Sequence, residues 1–118
     1  MKILLVEDND FTRKLLQKQL EEEGYRVEIA ADGIAALNAI RADRPDMVLL
    51  DIMMPRLDGY QVCRLLRLDD RFADLPIIML TSKAGQEDRE RGVEAGVNDF
   101  ILKNAEFGLI LKLIKEHS

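Results

Sequence analysis

Two patterns alternate along the chain. Five short runs dominated by apolar residues are ILLV (3–6), VEIA (27–30), MVLL (47–50), IIML (77–80) and FIL (100–102). Runs of this length predict strands, most of them buried on both faces. Between them, apolar residues recur at helical spacing. Phe11, Leu15, Leu16 and Leu20 form one stripe, with Asp10 as the predicted N-cap and Gly24 as the predicted stop. Ile34, Leu37 and Ile40 form a second stripe, with Asp32 near its start. Val62, Cys63 and Leu66 form a third, after Asp58. The fourth segment, about 85–95, is mostly polar and weakly patterned. In the fifth, Phe107, Ile110, Leu111 and Ile114 share one face. Five strand–helix units joined by short loops predict an α/β fold, (βα)5, whose parallel sheet carries helices on both faces. No repeat, low-complexity tract or linker interrupts the pattern, so residues 1–118 read as one domain.

Composition narrows the functional classes. The 118 residues are 47% apolar and 33% charged, enough to build a core. A net charge of −5 provides no basic footprint for direct nucleic-acid binding. The single cysteine, Cys63, allows no internal disulfide and fits a reducing compartment. No run resembles a signal peptide or approaches the roughly 18 to 20 residues of a membrane span. A cytoplasmic location is therefore expected. The lone His117, beside the C-terminus, leaves out His-based triads and His-rich metal sites.

In an open parallel sheet, ligands bind outside the carboxyl ends of the strands, so the residues that follow each run carry the chemistry. Glu7 and Asp8 follow the first run, Asp51 the third, Thr81 and Ser82 the fourth, and Lys103 the fifth. The second run, a predicted edge strand, lacks such a group. Three acids at close range cannot all stay ionised without compensation. A hard divalent cation is the natural partner, and Mg2+ prefers one or two carboxylates, waters and phosphate oxygens. Lys103 suits a phosphoryl oxygen as a compact positive charge, and Thr81 can donate a hydrogen bond to the same group. Asp51, a single acid on a central strand, is then a candidate acceptor for phosphoryl transfer through an aspartyl phosphate.

The segments LLVEDN (4–9), LLDIMMPRLDG (49–59), IIMLTSK (77–83) and GVEAGVNDFILK (92–103) resemble the receiver domain of two-component response regulators. Their order and spacing carry the resemblance. Asp8, Asp51, Thr81 and Lys103 are separated by 43, 30 and 22 positions, and the match covers essentially the whole chain. It implies a flavodoxin-like sheet with strand order 2-1-3-4-5. It implies Asp51 as phosphoacceptor, Glu7 and Asp8 as further Mg2+ ligands, and the backbone carbonyl of Met53 completing the protein ligands. Thr81 and Lys103 would contact the phosphoryl group. Phe100 occupies the family's aromatic switch position, and Met53 and Lys83 flank the site where they influence phosphate lifetime. Signalling would pass through the face made by the fourth helix, fifth strand and fifth helix, where Leu109 and Leu113 form an i, i+4 pair outside the predicted core stripe. That pair is a candidate interface for a partner or a homodimer.

The implied partners are a histidine kinase or phosphotransfer protein upstream and a protein partner or output domain downstream. One departure stands out: the family usually has proline after the lysine, often through a cis bond, and here Asn104 follows Lys103. A cis bond before a non-proline costs about 2.5–4 kcal/mol. The rival reading is a pseudo-receiver, a binding module independent of phosphorylation. A haloacid-dehalogenase-type phosphatase would want a second acid where Met53 stands. A flavin-binding sheet would want a phosphate loop where the acidic EDNDF lies.

Overall fold

The computed structural model describes residues 1–82 and 86–118, without the side chains of 86 and 87. Five strands, β1 (Lys2–Val6), β2 (Arg26–Ala30), β3 (Met47–Asp51), β4 (Ile77–Thr81) and β5 (Asp99–Leu102), alternate with five helices. These are α1 (Asp10–Glu22), α2 (Gly33–Ala42), α3 (Gly59–Arg67), α4 (Gln86–Ala95) and α5 (Phe107–Glu116). The sheet is parallel throughout, in the order β2-β1-β3-β4-β5, which is the flavodoxin-like arrangement.

The pleat sends alternate residues to opposite faces. Leu4, Val6, Val48, Leu50, Ile77 and Met79 pack in one layer with Leu37 and Ile40 of α2 and Val62, Cys63 and Leu66 of α3. Ile3, Leu5, Met47, Leu49, Ile78 and Leu80 pack in the other with Leu16 and Leu20 of α1 and Ile110 and Ile114 of α5. Burying one such side chain stabilises the fold by about 1.5–3 kcal/mol. A slip of one residue would exchange the two layers, so the pattern holds the register firmly.

Two expectations for α1 are corrected. The N-cap is Asn9, not Asp10: Asn9 is extended and its side chain accepts from the Thr12 N–H at 2.9 Å. Asp10 is already helical and pairs with Arg13 one turn on. The predicted stripe also divides. Leu16 and Leu20 are buried, whereas Phe11 is 76% and Leu15 45% exposed. Positions 11 and 15 sit a fraction of a turn away from 16 and 20, off the sheet side of the helix. Gly24 ends the helix as expected, in the left-handed region at φ 91°. Asp32 caps α2, and Asp58 with Gln61 forms a capping box on α3. No helix among the described residues is long and apolar enough to cross a membrane.

Candidate functional site

Register assembles the site. Val6 pairs with Leu50, Asp51 with Leu80, and Thr81 with Leu102. Glu7 and Asp51 therefore leave adjacent strands at the same level, and Lys103 leaves β5, which lies beyond β4. By the alternation of the pleat, Glu7, Asp51 and Lys103 share the face of α1 and α5, and Thr81 turns to the face of α3 and α4. The loop after β3 folds back tightly: the Gly59 N–H donates to the Ile52 carbonyl at 2.9 Å. A Cβ on Gly59 would lie 2.5 Å from the Asp51 carbonyl oxygen, so only glycine allows this approach.

Glu7 and Asp51 are fully buried, while Asp8 stands at the surface. One carboxylate oxygen from each of the three lies within 4.8 Å of the others. Lys103 Nζ is 2.8 Å from Glu7 Oε1 and 3.1 Å from Asp51 Oδ2, but it donates its hydrogen bond to Glu7 Oε2 at 3.1 Å. Asp51 Oδ1 accepts from the Met53 N–H at 3.3 Å. Glu7 Oε1 and Asp51 Oδ2 thus sit at ion-pair distance from the lysine yet are buried without a hydrogen bond. Buried oxygens of this kind are normally satisfied. A hard divalent cation taking oxygen ligands fits them, with exposed Asp8 completing the acidic set.

The charges explain how the buried pair holds together. Burial pushes the Asp51 carboxyl up to about 7, the neighbouring Glu7 carboxylate adds to the rise, and Lys103 opposes it. Burial also acts to raise Glu7, but the adjoining Asp51 carboxyl and the Lys103 ammonium outweigh it and hold Glu7 below its ordinary value. The buried pair is therefore asymmetric: Asp51 holds its proton more tightly than an ordinary carboxyl and Glu7 less tightly. Lys103 is lowered by burial but raised more strongly by both carboxylates, so it remains an ammonium.

The response regulator receiver-domain model matches residues 3–115. The chain belongs to the response regulator receiver-domain family. Response regulator MprA of Mycobacterium avium (strain 104) is 47% identical over 103 residues, 87% of this chain but 44% of that protein. The receiver domain therefore spans less than half the length of such relatives. Among solved structures, the receiver domain of sensor histidine kinase PA1611 from Pseudomonas aeruginosa PAO1 has a TM-score of 0.91 at 37% identity, covering 98% of this chain and 94% of that one. That structure holds a magnesium ion coordinated in its active-site cleft. Chemotaxis protein CheY4 of Vibrio cholerae has a TM-score of 0.95 at 29% identity, covering 99% and 98%.

The Lys103–Asn104 bond is trans, as are all peptide bonds among the described residues, and Lys103 reaches both buried acids. Met53 is 75% exposed on the loop beside Asp51. Thr81, Ser82, Ile52, Met53 and Asp88 line a cavity of about 280 Å³. Phe100 is half-buried, with its ring against Gly92 of α4. Lys83 lies outside the described residues. Of the leucine pair on α5, Leu109 is 49% exposed and Leu113 is partly buried against the core. The sequence reading missed Asp88, which a mostly polar helix gives no reason to single out. It also missed that exposed Phe11 and Leu15, with Lys103, Asn104, Ala105 and Phe107, line a groove beside the site.

Proposed function

We propose that this receiver domain is a phosphorylation-gated switch that accepts a phosphoryl group on Asp51. The observation that carries the reading is the pair of buried, hydrogen-bond-deficient carboxylate oxygens on Glu7 and Asp51 at ion-pair distance from Lys103. Glu7, Asp8, Asp51 and the Met53 carbonyl would hold Mg2+, in keeping with the magnesium described for the Pseudomonas receiver. Bound there, Mg2+ supplies charge neutralisation that makes a phosphoryl group tolerable beside the acids.

A carboxylate oxygen of Asp51 forms the new O–P bond as the bond between phosphorus and the donor's leaving group breaks. The donor keeps the electron pair. Lys103 offsets charge on the transferring group, and Thr81 donates a hydrogen bond to it once it is in place. The modification adds about 1.5–2 negative charges. Thr81 and Phe100 transmit it to the α4–β5–α5 face, where Leu109 is exposed. The donor is a histidine kinase or phosphotransfer protein in the cytoplasm, and the receiver of the signal is a protein partner, a second copy or an output domain. The chain acts as a substrate of phosphotransfer that assists its own modification and hydrolysis, rather than as an enzyme on other molecules.

The test is intact mass after incubation with acetyl phosphate, with and without Mg2+, beside Asp51→Ala. A Mg2+-dependent gain of roughly one phosphoryl mass, absent in the variant, is expected. An unmodified parent under conditions where Mg2+ binding is demonstrated would favour the pseudo-receiver.

A further inference from the structure

Among the described residues, α4 meets α3 through different contacts toward its two ends. At its C-terminal end, Arg67 of α3 spends its whole guanidinium on neighbouring segments. Nε donates to the Gly96 carbonyl at 2.9 Å, one terminal nitrogen to the Phe72 carbonyl at 2.8 Å, and the other to Asn98 Oδ1 at 3.0 Å. The same Asn98 oxygen accepts from the Ile77 N–H at 2.8 Å, tying this end to β4. The buried Cys63 thiol adds a bond to the Ala95 carbonyl at 3.1 Å. Gly96, at φ 95°, lies flush against Arg67, where a Cβ would meet Cγ at 2.8 Å.

Toward the other end, α3 reaches α4 through Tyr60. Its buried hydroxyl donates to the Asp88 carbonyl at 3.1 Å, with Asp88 Oδ1 at 3.4 Å. The Arg91 guanidinium lies over the Tyr60 ring, 4.3 Å from its centroid. Between the two anchorages Gly92 receives the Phe100 ring so closely that a Cβ there would fall 2.0 Å from Cζ. Asp88 is also a wall of the cavity that contains Thr81. Whatever moves the first turns of α4 therefore moves both the surroundings of Thr81 and the seat of Phe100.

We propose that the Tyr60 hydroxyl is a latch holding α4 in the arrangement that accompanies an unmodified, lysine-paired Asp51, and that α4 swings about its Arg67-bolted end when the latch opens. This rests on the phosphoacceptor reading. A contact made in one state and lost in the other biases the equilibrium by its own free energy. A hydrogen bond of ordinary net strength corresponds to a shift of about threefold to tenfold. The bond is a single hydroxyl on a ring that stays packed without it, so it can be removed without opening the core.

The experiment compares the parent with Tyr60→Phe and Arg91→Ala, each with Mg2+. Beryllofluoride, a phosphoryl mimic, is titrated by 19F NMR, and amide exchange across α4 is followed by mass spectrometry without beryllofluoride. Tyr60→Phe is expected to exchange faster through residues 88–92 and to half-saturate at a concentration lower by about threefold to tenfold. Arg91→Ala should move both readouts the same way by a smaller factor. Unchanged exchange in α4, or a half-saturation point unchanged or raised in Tyr60→Phe, overturns the latch. If the parent binds no beryllofluoride, the phosphoacceptor reading falls instead, and the exchange comparison still decides whether Tyr60 holds the helix.

Discussion

Replacing Asp51 with asparagine should stabilise the metal-free protein, and by an amount that grows with pH. The folded protein holds the Asp51 carboxyl at about 7 against an ordinary 3.8, because the group is buried beside Glu7. A carboxyl raised on folding keeps a proton in the native state that the unfolded chain has already released. Its contribution is fully present below about pH 4 and is lost as pH rises toward 7. Three pKa units correspond to about 4 kcal/mol. From pH 5 to 8 roughly two of those units are crossed, which sets a ceiling of about 3 kcal/mol. Lys103 lies close enough to relax toward the new charge, so a change of about 1–2 kcal/mol is expected. The window is chosen because Glu7 is shifted the other way, downward from 4.5, so that its own contribution is lost only below pH 5. The assay is urea unfolding in EDTA at pH 5, 6, 7 and 8 for the parent and Asp51→Asn. The parent should lose stability across the series relative to the variant. Curves that run parallel from pH 5 to 8 would refute the raised Asp51 carboxyl.

Two further outcomes follow from the local geometry. Arg56, in the loop after β3, has φ 70°, a conformation that L-residues adopt at a cost of about 1–2 kcal/mol and glycine adopts freely. Arg56→Gly should therefore raise stability in urea by about 0.5 kcal/mol after the added freedom of the unfolded chain is counted; a loss of 1 kcal/mol or more would show that the Arg56 side chain holds the loop. Phe11 and Leu15 are exposed on the rim of the groove next to Lys103, where a macromolecular donor must approach and a small one need not. Phe11→Ala with Leu15→Ala should slow transfer from a phosphorylated donor protein by about tenfold, the effect of removing interface anchors worth 1–2 kcal/mol, while labelling by acetyl phosphate stays within about twofold; equal slowing with both donors would place the defect in the site itself.

The contrast between Asp51 and Tyr60 explains which parts of this protein a single sequence discloses. Asp51 is legible because strand order, pleat and register convert a linear rule, the first polar residue after an apolar run, into a common edge. Glu7, Thr81 and Lys103 obey the same rule and arrive at the same place. Strands buried on both faces permit little else, since a slip of one residue would bury the acids' neighbours wrongly. The helices obey a looser rule. In α1 the four apolar residues fit one stripe on paper, yet the sheet takes only Leu16 and Leu20, leaving Phe11 and Leu15 beside the site. Asn9 and Asp10 are both good caps by type, and the one whose backbone remains extended is fixed by where β1 ends, a tertiary matter. In α5 the same limit leaves Leu113 outside the predicted core stripe, although it is partly buried against the core. Tyr60 lies further still from sequence rules, because its partner Asp88 is 28 residues away on a helix with almost no apolar face. Cross-helix polar contacts depend on how two helices approach, not on either helix's period. Chemistry carried by strand ends is therefore open to reading in this fold, whereas contacts between helices, such as those of Tyr60, Arg67 and Gly92, emerge only from their packing.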